Sequence, residues 1–424
     1  MKSRVKPGKA ERLLTFDALR TAHPFINMIH FICTCGNTLF FENTLCLKCG
    51  STVGYDPADN AMKPVTQAFA QCRNGTEFGV CNWLVPAAGQ EYCAACLLNH
   101  IVPDLSVAGN MEAWHKMEIG KRRAIYTLAR LGIMPADRTH HPDGLAFDFL
   151  TPIPELCVVT GHKDGIITLN LNEADDLYRE RQRHHLGEPY RTLIGHFRHE
   201  LGHYYWDRFF SWRTDDDPLR AEFRALFGDE RDDYEKALAR YYANGPLATW
   251  PSSHITGYAS AHPWEDWAET WAQYLHIVDG VETAGAFGWE STSVPIPFTP
   301  FLPEQMQADT QGEDDSFLNT LNDWARLSPA LNEMAASLGH TAMYPFIFTQ
   351  QTARKILFVH RMLNVAAQSW AQQVTTPPTP APTPLQPDTP SAPPVTPPPL
   401  PVTTPPPPLT TPQVTKPMTG MAAA

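Results

Sequence analysis

Gly195-His196-Phe197-Arg198-His199-Glu200-Leu201-Gly202-His203-Tyr204-Tyr205-Trp206 decides how the rest of the chain is read. Leu193, Ile194, Phe197 and Leu201 recur at helical spacing and predict a helix opened by Pro189 and running to about Phe210. Residues four apart stand one turn above each other, so His199 and His203 turn both imidazoles to one side. Two imidazoles so placed can grip a metal ion. Glu200, beside them, is positioned to take a proton from a water held by that ion. An accidental surface helix has no need of the apolar stripe. His196, one turn earlier, does not share the pair's geometry and is assigned to packing or hydrogen bonding.

A catalytic zinc generally has three protein ligands plus water. The best source of the third is Trp264-Glu265-Asp266-Trp267-Ala268-Glu269. Glu265 and Glu269 share a helix face, so Glu265 can ligate while Glu269 orients a histidine from behind. Spacing alone leaves the reverse assignment open. Trp264, Trp267 and Trp271 interleave with these acids, which is wrong for a solvated face. Tyr258, seven residues before Glu265, can donate to an oxyanion formed when water attacks a carbonyl. His254 and His262 are competing donors, and a merely packed tyrosine is the plainer reading.

Eight of the nine cysteines lie between Cys33 and Cys96. Cys33, Cys35, Cys46 and Cys49 form one quartet; Cys72, Cys81, Cys93 and Cys96 form another. Each is a candidate structural zinc site, closed to substrate because all four positions are thiolate. Gly36 and Gly50 follow the second cysteine of their pairs, where the chain must turn tightly. The first pair is Cys-x-Cys where ribbons usually have two intervening residues, and His30 is a nearby substitute donor. A buried or disulfide-linked set is the alternative. Cys157 stands apart, between Leu156 and Val158-Val159, and reads as a buried strand residue.

The 424 residues carry a net charge of −12, which argues against a general nucleic-acid binder. The cluster Lys121-Arg122-Arg123 reads as a solvated helix face rather than a phosphate track. No apolar run reaches the roughly 18 residues of a membrane span, and the basic N-terminus lacks a signal peptide's apolar centre. A cytoplasmic protein without membrane contact is the expectation. Nineteen of the forty prolines fall between Pro377 and Pro417. Residues 374–424 are therefore expected to be a disordered Pro/Thr-rich tail, either a plain extension or a ligand for a polyproline-recognising domain.

Other helices are expected from Asn110, as N-cap, to Leu131, and at 174–186, 232–242, 264–279, 317–338 and 352–373. Strands are expected at 155–160 and 166–171, joined by a turn at 161–165. The fold class is α+β. An N-terminal tail (1–24) precedes a double zinc-ribbon region (25–104), a helix-rich zincin-like domain (105–373) and the tail.

The segments at 195–206 and 263–271, with Cys81-Asn82-Trp83-Leu84-Val85-Pro86, Gly161-His162 and Ile167-Thr168-Leu169-Asn170-Leu171, resemble a family of bacterial zinc metallopeptidases with an N-terminal zinc-ribbon region. Residues 258–269 also resemble lethal-factor-type gluzincin peptidases, in which a tyrosine precedes the ligand glutamate by seven residues and a further acid follows by four. Tyr258, Glu265 and Glu269 match that pattern. The resemblance implies a peptide or protein substrate held along an edge strand, which by analogy is 166–171. The Cys-x-Cys spacing and the Pro-rich tail depart from the family's pattern.

Three functions compete. The first is a zinc peptidase with His199, His203 and Glu265 as ligands and Glu200 and Tyr258 as catalytic groups. The second is a zinc-ribbon scaffold with a silent helix. The third is a protease of nucleic-acid-bound proteins, which the acidic balance disfavours. Metal analysis of the intact chain separates the first two: the peptidase carries one catalytic and two structural Zn2+ per chain, the scaffold two zincs only.

Overall fold

A computed structural model of the chain describes residues 30–86, 89–153, 158–186, 190–306 and 313–375. The expectations for residues 1–24, for Cys157, for Pro189 and for the tail beyond 375 lie outside the described residues.

The cysteine-rich part is built of short antiparallel pairs. Strand β1 (His30–Ile32) pairs with β2 (Thr38–Phe40), and β3 (Val53–Asp56) with β4 (Ala61–Pro64). Strand β5 (Phe69–Gln71) is followed by helix α1 (Arg73–Phe78) and pairs with β6 (Leu84–Pro86). Gly36 and Gly50 adopt φ of 79° and 71°, the left-handed turn that a side chain would resist. Phe41, Tyr55 and Trp83 form an aromatic cluster that also takes in Tyr126 from the first long helix.

Strand β7 (Asn99–Ile101) leads out of this region, and helix α2 (Asn110–Arg130) follows. Asn110 lies inside the first turn of α2 rather than capping it; its side chain donates to the Asp104 carbonyl at 2.8 Å. Two residues of the basic cluster on α2 are not solvated. Lys121 is fully buried and donates to buried Glu118 at 2.8 Å, while Arg122 reaches the Val80 carbonyl and Glu42. Packing between α2 and the cysteine-rich part closes over them, and ion pairing makes that burial tolerable.

Strands β8 (Ala146–Leu150), β9 (Gly161–Lys163) and β10 (Ile166–Asn170) complete a sheet of order β7-β8-β10-β9. The first three of these run parallel and β9 runs antiparallel. Two expectations are corrected here. Residues 158–160 form no strand, and 154–157 are not described. The partner of β10 comes instead from within the predicted five-residue turn, because Asp164 and Gly165, at φ 50° and 78°, close the hairpin in two residues. Such a turn matches the natural twist of paired strands. Consequently 166–171 is not an edge: β10 is enclosed by β8 and β9, and β9 is the edge strand.

Helices α3 (Asp176–Leu186), α4 (Leu193–Phe210), α5 (Pro218–Phe227), α6 (Tyr234–Asn244), α7 (Pro263–Ala286), α8 (Glu313–Ser337) and α9 (Gln350–Thr375) follow. Residues 190–192 are not helical, and Thr192 caps α4: its hydroxyl accepts from the Gly195 amide at 3.1 Å. Sequence reading missed α5, whose Phe223 and Phe227 join an aromatic core with Trp206, Phe210, Trp267 and Phe358. Among the described residues no helix is long and apolar enough to cross a membrane.

Helix α4 is enclosed on opposite sides. Phe197 packs on Phe147 and Phe149 of the sheet, and Gly120 of α2 makes room for its ring. On the other side α7 comes so close that a Cβ on Gly202 would lie 2.9 Å from the Ala268 Cα. Trp267 Nε1 donates to the Gly202 carbonyl at 2.8 Å across this contact. Gly202→Ala is therefore expected to push α7 off α4 and cost about 1–3 kcal/mol, seen as a lower melting temperature in thermal unfolding.

Candidate metal centre

His199 and His203 point from α4 toward α7, with their Nε2 atoms 3.2 Å apart. Glu265, in the first turn of α7, brings Oε2 to 3.1 Å from His199 Nε2 and 3.6 Å from His203 Nε2. Ligands about 2.1 Å from a tetrahedral ion stand roughly 3.4 Å from one another, which fits these spacings. Glu265 is 1% exposed, and Oε2 has no hydrogen-bond partner among the described residues. A buried carboxylate oxygen left in that condition calls for a cation. The residues present fit a zinc ion.

The surrounding groups set the state of the donors. Glu269, one turn after Glu265, lies 2.7 Å from His199 Nδ1 through Oε1. A proton held between them leaves the His199 Nε2 lone pair free to face the site. Burial pushes the Glu265 carboxyl up, but the His203 and His199 imidazoles override it and hold it well below the usual carboxylate range. Glu200 is buried, its Oε2 has no hydrogen-bond partner among the described residues, and burial raises its carboxyl against the pull of the same imidazoles. Tyr258 sits in a turn just before α7, its ring centroid 6.1 Å from that of His199. Burial, ahead of the Glu265 charge, pushes its phenol well above the ordinary value, so it stays a donor.

The structure thus brings His199, His203 and Glu265 to one point, with Glu269 behind His199, the Tyr258 ring beside it and Glu200 within electrostatic reach of both histidines. His254 and His262 are engaged elsewhere. His254 pairs with Ser253 and stands 3.7 Å from Asp266, while His262 caps α7. His196 faces Glu173, 3.6 Å away.

Sequence reading missed three supports. Tyr234, the first residue of α6, donates to Glu265 Oε1 at 2.6 Å from 31 positions upstream. Asp266, behind Glu265, pairs with Lys355 of α9 at 2.5 Å; burial still pushes its carboxyl up to about 7. Arg198 is buried against Asp279 and His276 of α7. No local spacing links these partners. The one usable hint was that Arg198 falls on a helix face otherwise apolar, with Ile194, Leu201 and Tyr205.

The cysteine quartets also converge. Cys33 and Cys49 Sγ stand 3.7 Å apart, Cys35 and Cys46 3.6 Å, and Cys81 and Cys93 3.6 Å. A disulfide would need about 2.05 Å, whereas thiolates around one tetrahedral zinc are roughly 3.8 Å apart. Both sets have metal-site geometry, and the tight Cys33–Gly36 turn accommodates the Cys-x-Cys spacing.

Residues 110–362 match the family described as "putative zinc-binding metallo-peptidase", and residues 30–107 match a zinc-ribbon domain. Uncharacterized proteins of Mycobacterium tuberculosis and Mycobacterium bovis are 38% identical over 337 residues, covering 78% of this chain and 94% of theirs. No solved structure matches. The chain belongs to this zinc-binding metallo-peptidase family, with a zinc-ribbon region ahead of the helix-rich domain.

The contact between Glu269 and His199 predicts that Glu269→Ala weakens zinc binding at the His199, His203 and Glu265 cluster about 10–100-fold, measured by competition with a chromophoric chelator.

Proposed function

We propose that this protein is a zinc-dependent peptidase of the gluzincin type. In this reading His199, His203 and Glu265 hold the catalytic ion, the two cysteine quartets hold structural zincs, and residues 105–373 form the peptidase domain. The observation that carries the reading is the convergence of His199 Nε2, His203 Nε2 and Glu265 Oε2, with a buried Glu200 carboxylate within electrostatic reach of all three residues. Membership of a zinc-binding metallo-peptidase family supports it.

A zinc ion bound there supplies Lewis acidity, lowering the pKa of a water toward neutrality and polarising the scissile carbonyl. The chain's own groups do the rest. Glu200 accepts the proton of the attacking water at its carboxylate and returns it to the leaving amine. Tyr258 donates its phenolic hydrogen to the oxyanion as charge develops there. Glu269 keeps the proton on His199 Nδ1 and fixes the ring's orientation.

The substrate is a peptide or protein segment in extended form, paired along the outer edge of β9. That edge meets no other described strand, and β9 packs on α4: His162 lies edge-on to Tyr204, ring centroids 6.1 Å apart.

Glu200→Gln keeps the size of the side chain and removes the base. It is expected to retain the third metal while lowering hydrolysis of a peptide library at least about 100-fold, read by mass spectrometry. Wild-type cleavage by this variant would refute the general-base role.

A further inference from the structure

The two oxygens of Glu265 have different surroundings. Oε1 accepts the Tyr234 phenol at 2.6 Å, whereas Oε2 has no hydrogen-bond partner among the described residues and faces the imidazoles, 3.1 Å from His199 Nε2. A carboxylate can meet a metal ion through one oxygen or both. We propose that Tyr234 is a positioning residue that makes Glu265 a one-oxygen ligand by occupying Oε1. The inference rests on the metal-centre reading above and extends it to a residue on a separate helix.

Tyr234 is itself held in place by its neighbours. His262 accepts the Trp264 amide at Nδ1 (3.1 Å), so the hydrogen of the neutral ring is on Nε2, which donates to the Asp232 carbonyl at 3.0 Å. One buried imidazole thereby pins the start of α6 to the start of α7, and Tyr234 and Glu265 each lie two or three positions from the pinned atoms. Asp233 caps α6 by accepting from the Lys236 amide at 3.0 Å. The Tyr234 ring packs edge-on to His262, centroids 5.1 Å apart, and against Trp264 at 5.7 Å.

The consequence concerns the coordination shell. For Oε1 to swing onto the ion, it must leave Tyr234, stranding a phenol in a largely buried place. With that route closed, the protein supplies three donor atoms and the remaining position stays open to water and substrate. Without the phenol, a second carboxylate oxygen is free to occupy the opening.

The test uses the full-length chain, with zinc binding followed by chelator competition and Co2+ substitution followed by visible absorption. Tyr234→Phe should bind the third zinc about 10–100-fold more weakly. Its Co2+ bands should shift toward the weaker absorption of a five-coordinate ion, with both cysteine sites still filled. In a Glu265→His background, which lacks a second oxygen, Tyr234→Phe should change affinity less than about 2-fold if its effect runs through that carboxylate. Wild-type affinity and spectrum in Tyr234→Phe would overturn the assignment and leave the metal centre standing. Equal loss in both backgrounds would also overturn it, since Tyr234 would then be only a packing residue. Absence of a third metal from the unsubstituted chain would instead remove the metal-centre reading itself.

Discussion

The contact between α4 and α7 is the constraint on which the site depends. His199 and His203 belong to one helix and Glu265 to another, so the donors meet only if the helices are close and in register. Gly202 allows the closeness, because any side chain there would meet the backbone at Ala268. The hydrogen bond from Trp267 to the Gly202 carbonyl sets the register, in a setting where both partners are shielded from water. Trp271 stacks on Tyr205 with centroids 4.7 Å apart, extending the same seam by a turn.

Charge buried along α7 serves the same end. Asp266 is bound to Lys355 of α9, and Asp279 to Arg198 of α4. Such pairs add little net stability over an apolar filling, yet removing one partner is costly, so each disfavours any sliding of the helices. Asp266 lies directly after Glu265, where α7 faces His199 and His203, and Asp279 lies ten residues beyond Glu269. Helix α2 carries a similar load, with Lys121 on Glu118 and Arg122 on Glu42 and the Val80 carbonyl. Helix α2 thus joins the cysteine-rich part to α4, where Gly120 meets the Phe197 ring, and to α7, where Thr127 donates to Asp279 at 2.8 Å.

Part of this was legible before any coordinates. The two cysteine quartets follow from composition and close spacing, and a stretch with so small a core needs metal to hold it. The interleaving of Trp264, Trp267 and Trp271 with acids marked α7 as a buried helix, since solvent-facing acids have no use for such neighbours. Where the reading went astray, a local signal was outvoted. The basic cluster on α2 read as solvated because burial depends on what packs against it. The hairpin at β9 and β10 was opened too wide because Asp164-Gly165 was absorbed into a longer turn. That error also put the sheet edge one strand too far in.

The division has a physical basis. Helical spacing is a property of one segment, so the sequence alone placed His199, Glu200 and His203 on a shared turn of a helix, and Glu265 and Glu269 on a shared face of another. Which glutamate faces the imidazoles depends on how one helix rotates against its neighbour, a matter of side-chain volumes at Gly202, Ala268 and Trp271. Only the tertiary structure decided it, turning Glu265 toward Nε2 and Glu269 toward Nδ1. It alone brought Tyr234 to Glu265 and Lys355 to Asp266, because contacts between distant segments are fixed by packing and leave no period in the chain.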